Sequence, residues 1–124
     1  MVTALESDKT AAARGAPGLA LTYAASVLGQ RWRLILLWRL HQGLATSAEL
    51  EGAIPGISRK MLFEDLRALL AAGLIGKTLG GGRRPARHFL TARGQDLAPV
   101  LELLLAWGEK HRPRRRASNA ARGG

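Results

Sequence analysis

Cysteine is absent from this chain. That absence excludes disulfides, thiol nucleophiles, thiolate metal sites and thiol redox sensing together. Acidic side chains are scarce, with nine Asp and Glu against nineteen Lys and Arg, a formal net charge of +10. Such an excess favours polyanionic partners, either nucleic acid or an anionic membrane face. Long apolar runs are missing too. The strongest, residues 34–38, falls far short of the roughly 20 residues that a membrane-spanning helix needs. The first seventeen residues contain Glu6 and Asp8 and have no apolar centre, which does not fit a secretory signal peptide. A cytoplasmic protein without membrane contact is expected.

Histidine offers little chemistry. His41, His88 and His111 have neither metal-ligand spacing nor an acidic cluster beside them, so each reads as a surface or half-buried side chain. No metal and no other cofactor is expected. The pairs nearest to an acid–base arrangement, Asp96 with His88 and Glu109 with His111, lack a nucleophile and an orienting third group. An enzyme is therefore not expected.

The charge that is present is placed unevenly. Residues 1–16 balance Lys9 and Arg14 against Glu6 and Asp8, whereas residues 112–124 hold five arginines and no acid. Residues 57–94 hold eight Lys and Arg against two acids. Residues 1–17 are rich in Ala and Thr without apolar periodicity and are expected to be a disordered tail. Residues 18–111 form one domain on this reading, and 112–124 form a basic disordered tail. A domain of that size builds one core but a marginal one, which a partner subunit would reinforce.

Inside the domain the punctuation is clear. A short helical pattern over residues 19–28 ends at Gly29, and a strongly apolar helix carrying Trp32 and Trp38 runs to about His41. Thr46 and Glu49 have capping-box spacing, predicting a short helix over 47–53. Pro55-Gly56 is a turn dipeptide. Ser58 is then the natural N-cap of a helix over 58–72, and Gly73 its left-handed stop. At about 100° per residue, Met61, Leu62, Leu66 and Leu69 share one side of that helix, while Arg59, Lys60, Phe63, Glu64 and Arg67 share the other. Asp65 lies towards the packed flank, where an arginine can pair with it.

Residues 74–79 and 86–90 read as the two strands of a hairpin, joined by Gly80-Gly81-Gly82-Arg83-Arg84-Pro85. Glycines in the tip let the backbone approach phosphates, and Arg83, Arg84 and Arg87 supply charge. The Lys-Ser/Thr ending of a phosphate-binding loop is missing, so a nucleotide site is disfavoured. Thr91 can cap a last helix extending to about Lys110, with Pro99 kinking or interrupting it. Leu97, Val100, Leu101, Leu103, Leu104, Leu105 and Trp107 wrap more than one face of it. A helix apolar on two sides must bury both, so Leu97, Val100, Leu101, Leu104 and Leu105 are candidate dimer contacts.

Helix, helix, turn, helix and a basic-tipped hairpin follow one another in the order of a winged helix-turn-helix domain, mainly α in class. A basic, partly aromatic outward face suits the major groove. Ser58, Arg59, Lys60, Phe63 and Arg67 are therefore candidate DNA contacts, with Arg83, Arg84 and Arg87 along a flanking backbone or minor groove.

Leu28-Gly29-Gln30-Arg31-Trp32, Glu49-Leu50, Pro55-Gly56-Ile57-Ser58-Arg59-Lys60-Met61-Leu62, Leu66-Arg67, Gly73-Leu74, Leu90-Thr91, Gly94 and Ala106-Trp107-Gly108 follow one another along the chain. In that order and spacing the chain resembles the HxlR-type transcriptional regulators. The resemblance covers roughly residues 19–111 and implies a homodimeric winged-helix DNA-binding protein, paired through its N- and C-terminal helices. Double-stranded DNA with an inverted-repeat operator is the implied partner, and repression is favoured because occluding a promoter needs only occupancy. The alternative is a winged-helix protein-interaction module without sequence-specific DNA binding. Members of the family commonly carry a cysteine ahead of the first helix. This chain has none, so any switch is expected to be a small ligand at an apolar pocket of the dimer interface, or control of protein level. Glu64 and Asp65 place acid where the family more often has neutral polar residues.

A test of the basic tail follows from its charge. Each phosphate neutralised on duplex DNA contributes about −0.9 to the slope of log affinity against log salt. If two or three tail arginines engage, truncation after His111 should flatten that slope by roughly 2–3 units on specific and random DNA alike. An unchanged slope would make the tail a solvated appendage.

Overall fold

The computed structural model describes residues 4–114, with side-chain surroundings defined from Gly15 onward. Its elements run α1 (Ala4–Leu28), α2 (Arg31–His41), α3 (Ser47–Ala53), α4 (Arg59–Ala71), β1 (Ile75–Lys77), β2 (His88–Leu90), α5 (Ala92–Gln95) and α6 (Ala98–His111). This is a mainly helical winged helix-turn-helix fold with one two-stranded antiparallel sheet.

The first helix corrects an expectation. It begins at Ala4 rather than near residue 19, and it carries Pro17 inside it. An alanine-rich segment loses little side-chain entropy on becoming helical, so it needs no apolar stripe to adopt that state. Residues 15–22 are exposed throughout, which is why periodicity gave no signal there. Its end joins the domain, where Val27 and Leu28 pack against the core and the Tyr23 hydroxyl accepts from Arg93 Nη2 at 3.0 Å. Residues 1–3 and most of the basic tail, 115–124, lie outside the described residues.

α2 is the central element and touches α1, α3, α4, α6 and β2. Its Leu36 and Leu37 are fully buried, joined by Leu50 of α3, Leu62, Leu66 and Leu69 of α4, Ile75, Leu90 and Leu101. The short α3 is closed by the expected capping box. Thr46 Oγ1 accepts from the Glu49 amide at 3.1 Å, and Glu49 Oε1 accepts from the amides of Thr46 and Ala45. Those two amides hold the Glu49 carboxyl below its ordinary pKa, the Thr46 contribution being the larger. A depressed carboxylate stabilises the fold at neutral pH, and the contribution is lost as pH falls through the folded-state pKa.

The hairpin is shorter than the sequence pattern suggested. Pairing joins Ile75 to Leu90, Gly76 to Phe89 and Lys77 to His88. Leu74 drops out of the strand because its amide still bonds the Leu69 carbonyl at the end of α4. Beyond Lys77 the chain opens into the tip, closed by a bridge between Gly81 and Arg84 with Gly82 at φ +58. The last helical segment is interrupted as expected, but Pro99 is not its breaker. α5 ends at Gln95, and Pro99 sits in the first turn of α6, where a missing N–H leaves no intrahelical bond unmade. Thr91 does cap α5, and its hydroxyl also donates to the Gly73 carbonyl at 2.6 Å.

Candidate DNA interface

The turn into α4 is built by three local features. Gly56 adopts φ +90, a left-handed conformation that costs glycine nothing, and the Trp32 ring lies against it. Ile57 is buried beside it and anchors the turn. Ser58 Oγ then accepts from the Met61 amide at 3.0 Å, so this candidate DNA contact already serves as the helix cap. Its hydroxyl hydrogen remains available to a phosphate oxygen.

From that cap the helix sorts its residues as the periodicity predicts. Leu62, Leu66 and Leu69 are buried, Met61 is half-buried, and Arg59, Lys60, Phe63, Glu64 and Arg67 are exposed. Phe63 leaves 41% of its surface open, an unfavourable arrangement for an isolated aromatic that suits contact with a thymine methyl. Asp65 turns inward, as expected from its flank position, and the pairing arginine is Arg33 of α2. Arg33 Nε donates to Asp65 Oδ1 at 3.1 Å, and Nη1 donates to the Ser26 and Val27 carbonyls at the end of α1. The outward face therefore keeps a single α4 carboxylate, Glu64.

Both cations in the first turn of α4 already have an anionic partner. Arg59 Nε lies 3.5 Å from Glu51 Oε1 of α3, and Lys60 Nζ lies 3.4 Å from Glu64 Oε2 one turn on. Arg59 keeps 74% of its side-chain surface exposed, so its guanidinium remains open to guanine O6 and N7.

Arg83, Arg84 and Arg87 are all exposed on the hairpin. The Thr78 amide donates to the Arg87 carbonyl at 2.8 Å, and the Arg87 amide donates to Thr78 Oγ1 at 3.1 Å. These bonds hold the base of the wing below its glycine-rich tip. One residue read as surface or half-buried turns out to fasten the wing to the rest of the fold. His88 is buried, and both its amide (2.8 Å) and its Nδ1 (3.0 Å) bond the Ala45 carbonyl ahead of α3. An alternating strand pattern shows that His88 faces inward, but nothing local identifies Ala45 as its partner.

A second surface stands apart from the charged one. The structure divides the five candidate dimer contacts between two environments. Leu97 and Leu101 face the domain's own core, with Leu101 only 4% exposed, whereas Val100, Leu104 and Leu105 face outward with Leu103 and Trp107. Leu19, Leu21 and Tyr23 of α1 are exposed too. Between α2 and α6 lies an apolar cleft of about 390 Å³, lined by Leu34, Ile35, Trp38, Leu101, Leu104 and Leu105, with Arg39 at its side. Ile35 and Trp38 belong to the strongly apolar stretch of α2. Their contribution to the cleft depends on where α6 docks.

The sequence model of the HxlR-like helix-turn-helix family matches residues 27–116. The chain is 34% identical over 86 residues to the HTH-type transcriptional regulator YtcD of Bacillus subtilis (strain 168), covering 68% of each chain. It superposes on a crystal structure of the HTH-type regulator YtcD with a TM-score of 0.70 at 30% identity, covering 76% of this chain and 97% of the other. The redox regulator HypR in its oxidised form is similar at a TM-score of 0.72 and 26% identity, over 77% of this chain and 99% of that one. Any thiol-based response of such a relative has no counterpart here, since this chain has no cysteine.

Proposed function

The chain belongs to the HxlR-like helix-turn-helix family, whose relatives are transcriptional regulators, and from that premise we propose that it is a homodimeric, sequence-specific DNA-binding repressor acting in the cytoplasm. The observation that carries the reading is the outward face of α4, where Arg59, Lys60, Phe63 and Arg67 stand exposed while the same helix packs through Leu62, Leu66 and Leu69. In this arrangement α4 enters the major groove with its first turn at the base edges, and Arg83, Arg84 and Arg87 follow a flanking backbone. Two α4 helices related by a two-fold axis reach successive major grooves roughly 34–36 Å apart, so the operator is an inverted repeat. Bound there, the dimer represses by occupying the promoter. The cleft between α2 and α6 suits a small apolar effector. Among the described residues no helix is long and apolar enough to cross a membrane, in keeping with a protein that works on DNA.

The deciding experiment selects bound sequences from genomic fragments and then compares the wild type with Arg59→Ala. If Arg59 reads a base, the substitution costs about 1–3 kcal/mol on the preferred site, and affinity for random DNA changes much less. An equal loss on both DNAs would reduce Arg59 to a phosphate contact. Failure of the wild type to prefer any sequence would overturn the function proposed.

A further inference from the structure

The acid on the recognition face calls for a physical account, because a helix that only attracted phosphates would be better without it. Glu64 is exposed, and Lys60 is its partner at 3.4 Å. Its neighbour Asp65 is turned inward and neutralised by Arg33, so the two acids of α4 have separate roles. An ionised carboxylate only accepts hydrogen bonds. It is therefore tolerated at the DNA surface only where the groove presents a donor.

The major groove presents two, the N6 amine of adenine and the N4 amine of cytosine. Adenine sets its N7 acceptor beside that amine, and a carboxylate reaching the amine meets the N7 lone pair. Cytosine carries no acceptor on its own groove edge. Across the pair stands guanine O6, with N7 beyond it, and both accept. A G·C pair thus shows an acceptor pair next to a donor. Lys60 and Glu64 present the complement, a donor ammonium held beside an acceptor carboxylate by one helical turn.

We infer that Lys60 and Glu64 act as a unit that reads one G·C base pair in each half-site, Lys60 Nζ donating to guanine O6 and N7 while Glu64 accepts from cytosine N4. The inference rests on the proposed DNA-binding function. Glu64 is thereby a specificity-determining residue: it costs affinity on every sequence that lacks cytosine at that position.

The test is parallel sequence selection from randomised duplex DNA with the full-length wild type and Glu64→Gln. This exposed, nearly isosteric change should leave the thermal melting curve in place. The wild type should select an invariant G·C pair in each half-site, with every other pair at that position binding about ten- to hundredfold more weakly. Glu64→Gln should lose or redirect that preference towards adenine, which a side-chain amide can contact at N6 and N7. Preferences at the other positions should be unchanged. A Glu64→Gln variant that binds all DNA more tightly, with its sequence preference intact, would show that Glu64 only repels phosphate. That result overturns this inference and leaves sequence-specific binding standing. A wild type with no preference at all would overturn both.

Discussion

Leu104→Glu is expected to turn a dimer into a monomer in sedimentation at micromolar concentration, and to lower affinity for an inverted-repeat site by on the order of 10²–10⁴-fold, because the second half-site is then no longer tethered. Leu104 stands 45% exposed on α6, beside Val100, Leu103, Leu105 and Trp107, all of which face outward. Each leucine that becomes fully buried contributes about 1.5–3 kcal/mol, and a two-fold axis places every such residue in the interface twice. A carboxylate there would be desolvated without a partner, a far larger penalty than the lost apolar contact. The monomer should still fold, since Leu104 contributes little to its core. Leu101→Ala is the contrasting change. Leu101 faces the core, so its truncation should cost roughly 2–5 kcal/mol of stability and leave the sedimenting mass at a dimer's value. A wild type that sediments as a monomer, or a Leu104→Glu protein that remains dimeric, would count directly against the assembly proposed.

Arg33→Ala should be the most destabilising single change of a charged residue in the domain. Asp65 keeps 4% of its side-chain surface exposed and Arg33 keeps 18%, so the pair sits where water screens it weakly. Asp65 Oδ2 has no partner among the described residues, which leaves Arg33 as the main compensation for the buried charge. Removing one member of such a pair typically costs about 3–5 kcal/mol, because the survivor is left buried and uncompensated. Arg33 also holds the Ser26 and Val27 carbonyls, so its loss should loosen the junction of α1 and α2 as well. Urea unfolding of Arg33→Ala, of Asp65→Leu and of the double variant Arg33→Met with Asp65→Leu provides the check. The double variant should recover most of the loss, since replacing both charges by apolar groups strands neither. A loss near the 0–1 kcal/mol of an exposed pair for Arg33→Ala alone would remove the pair from any structural role.

Much of the candidate DNA interface was legible because the signals that create it are local. The Thr46–Glu49 box located a helix of only seven residues. Ser58 and Gly73 bounded α4 to within a residue, and the 3.6-residue period separated its buried leucines from its exposed cations. Asp65 could be assigned to the packed flank on the same grounds. Its partner lies 32 positions away and could not be read from any spacing. The Arg59–Glu51 contact was hidden for the same reason, as it depends on the angle at which α3 meets α4.

Two differences between the sequence pattern and the structure have physical sources. Residues 4–17 lack an apolar stripe, and a stripe reports on packing rather than on helicity. An alanine-rich helix can therefore form without leaving a periodic signal. The leucines of α6 posed the reverse problem, with an apolar pattern so broad that it could not say which of them the domain itself would cover. By itself the sequence determined the order of the elements, the caps and turn that place α4, the basic face it turns outward and the exclusion of thiol chemistry. All of these are set within a turn or two of the chain, or by composition. Only the tertiary structure decided that Leu101 faces inward while Leu104 faces outward, that His88 fastens the wing to Ala45 and that Arg33 neutralises Asp65. Those outcomes depend on which elements the topology brings together, because burial is a property of the space between elements and not of the residue that fills it.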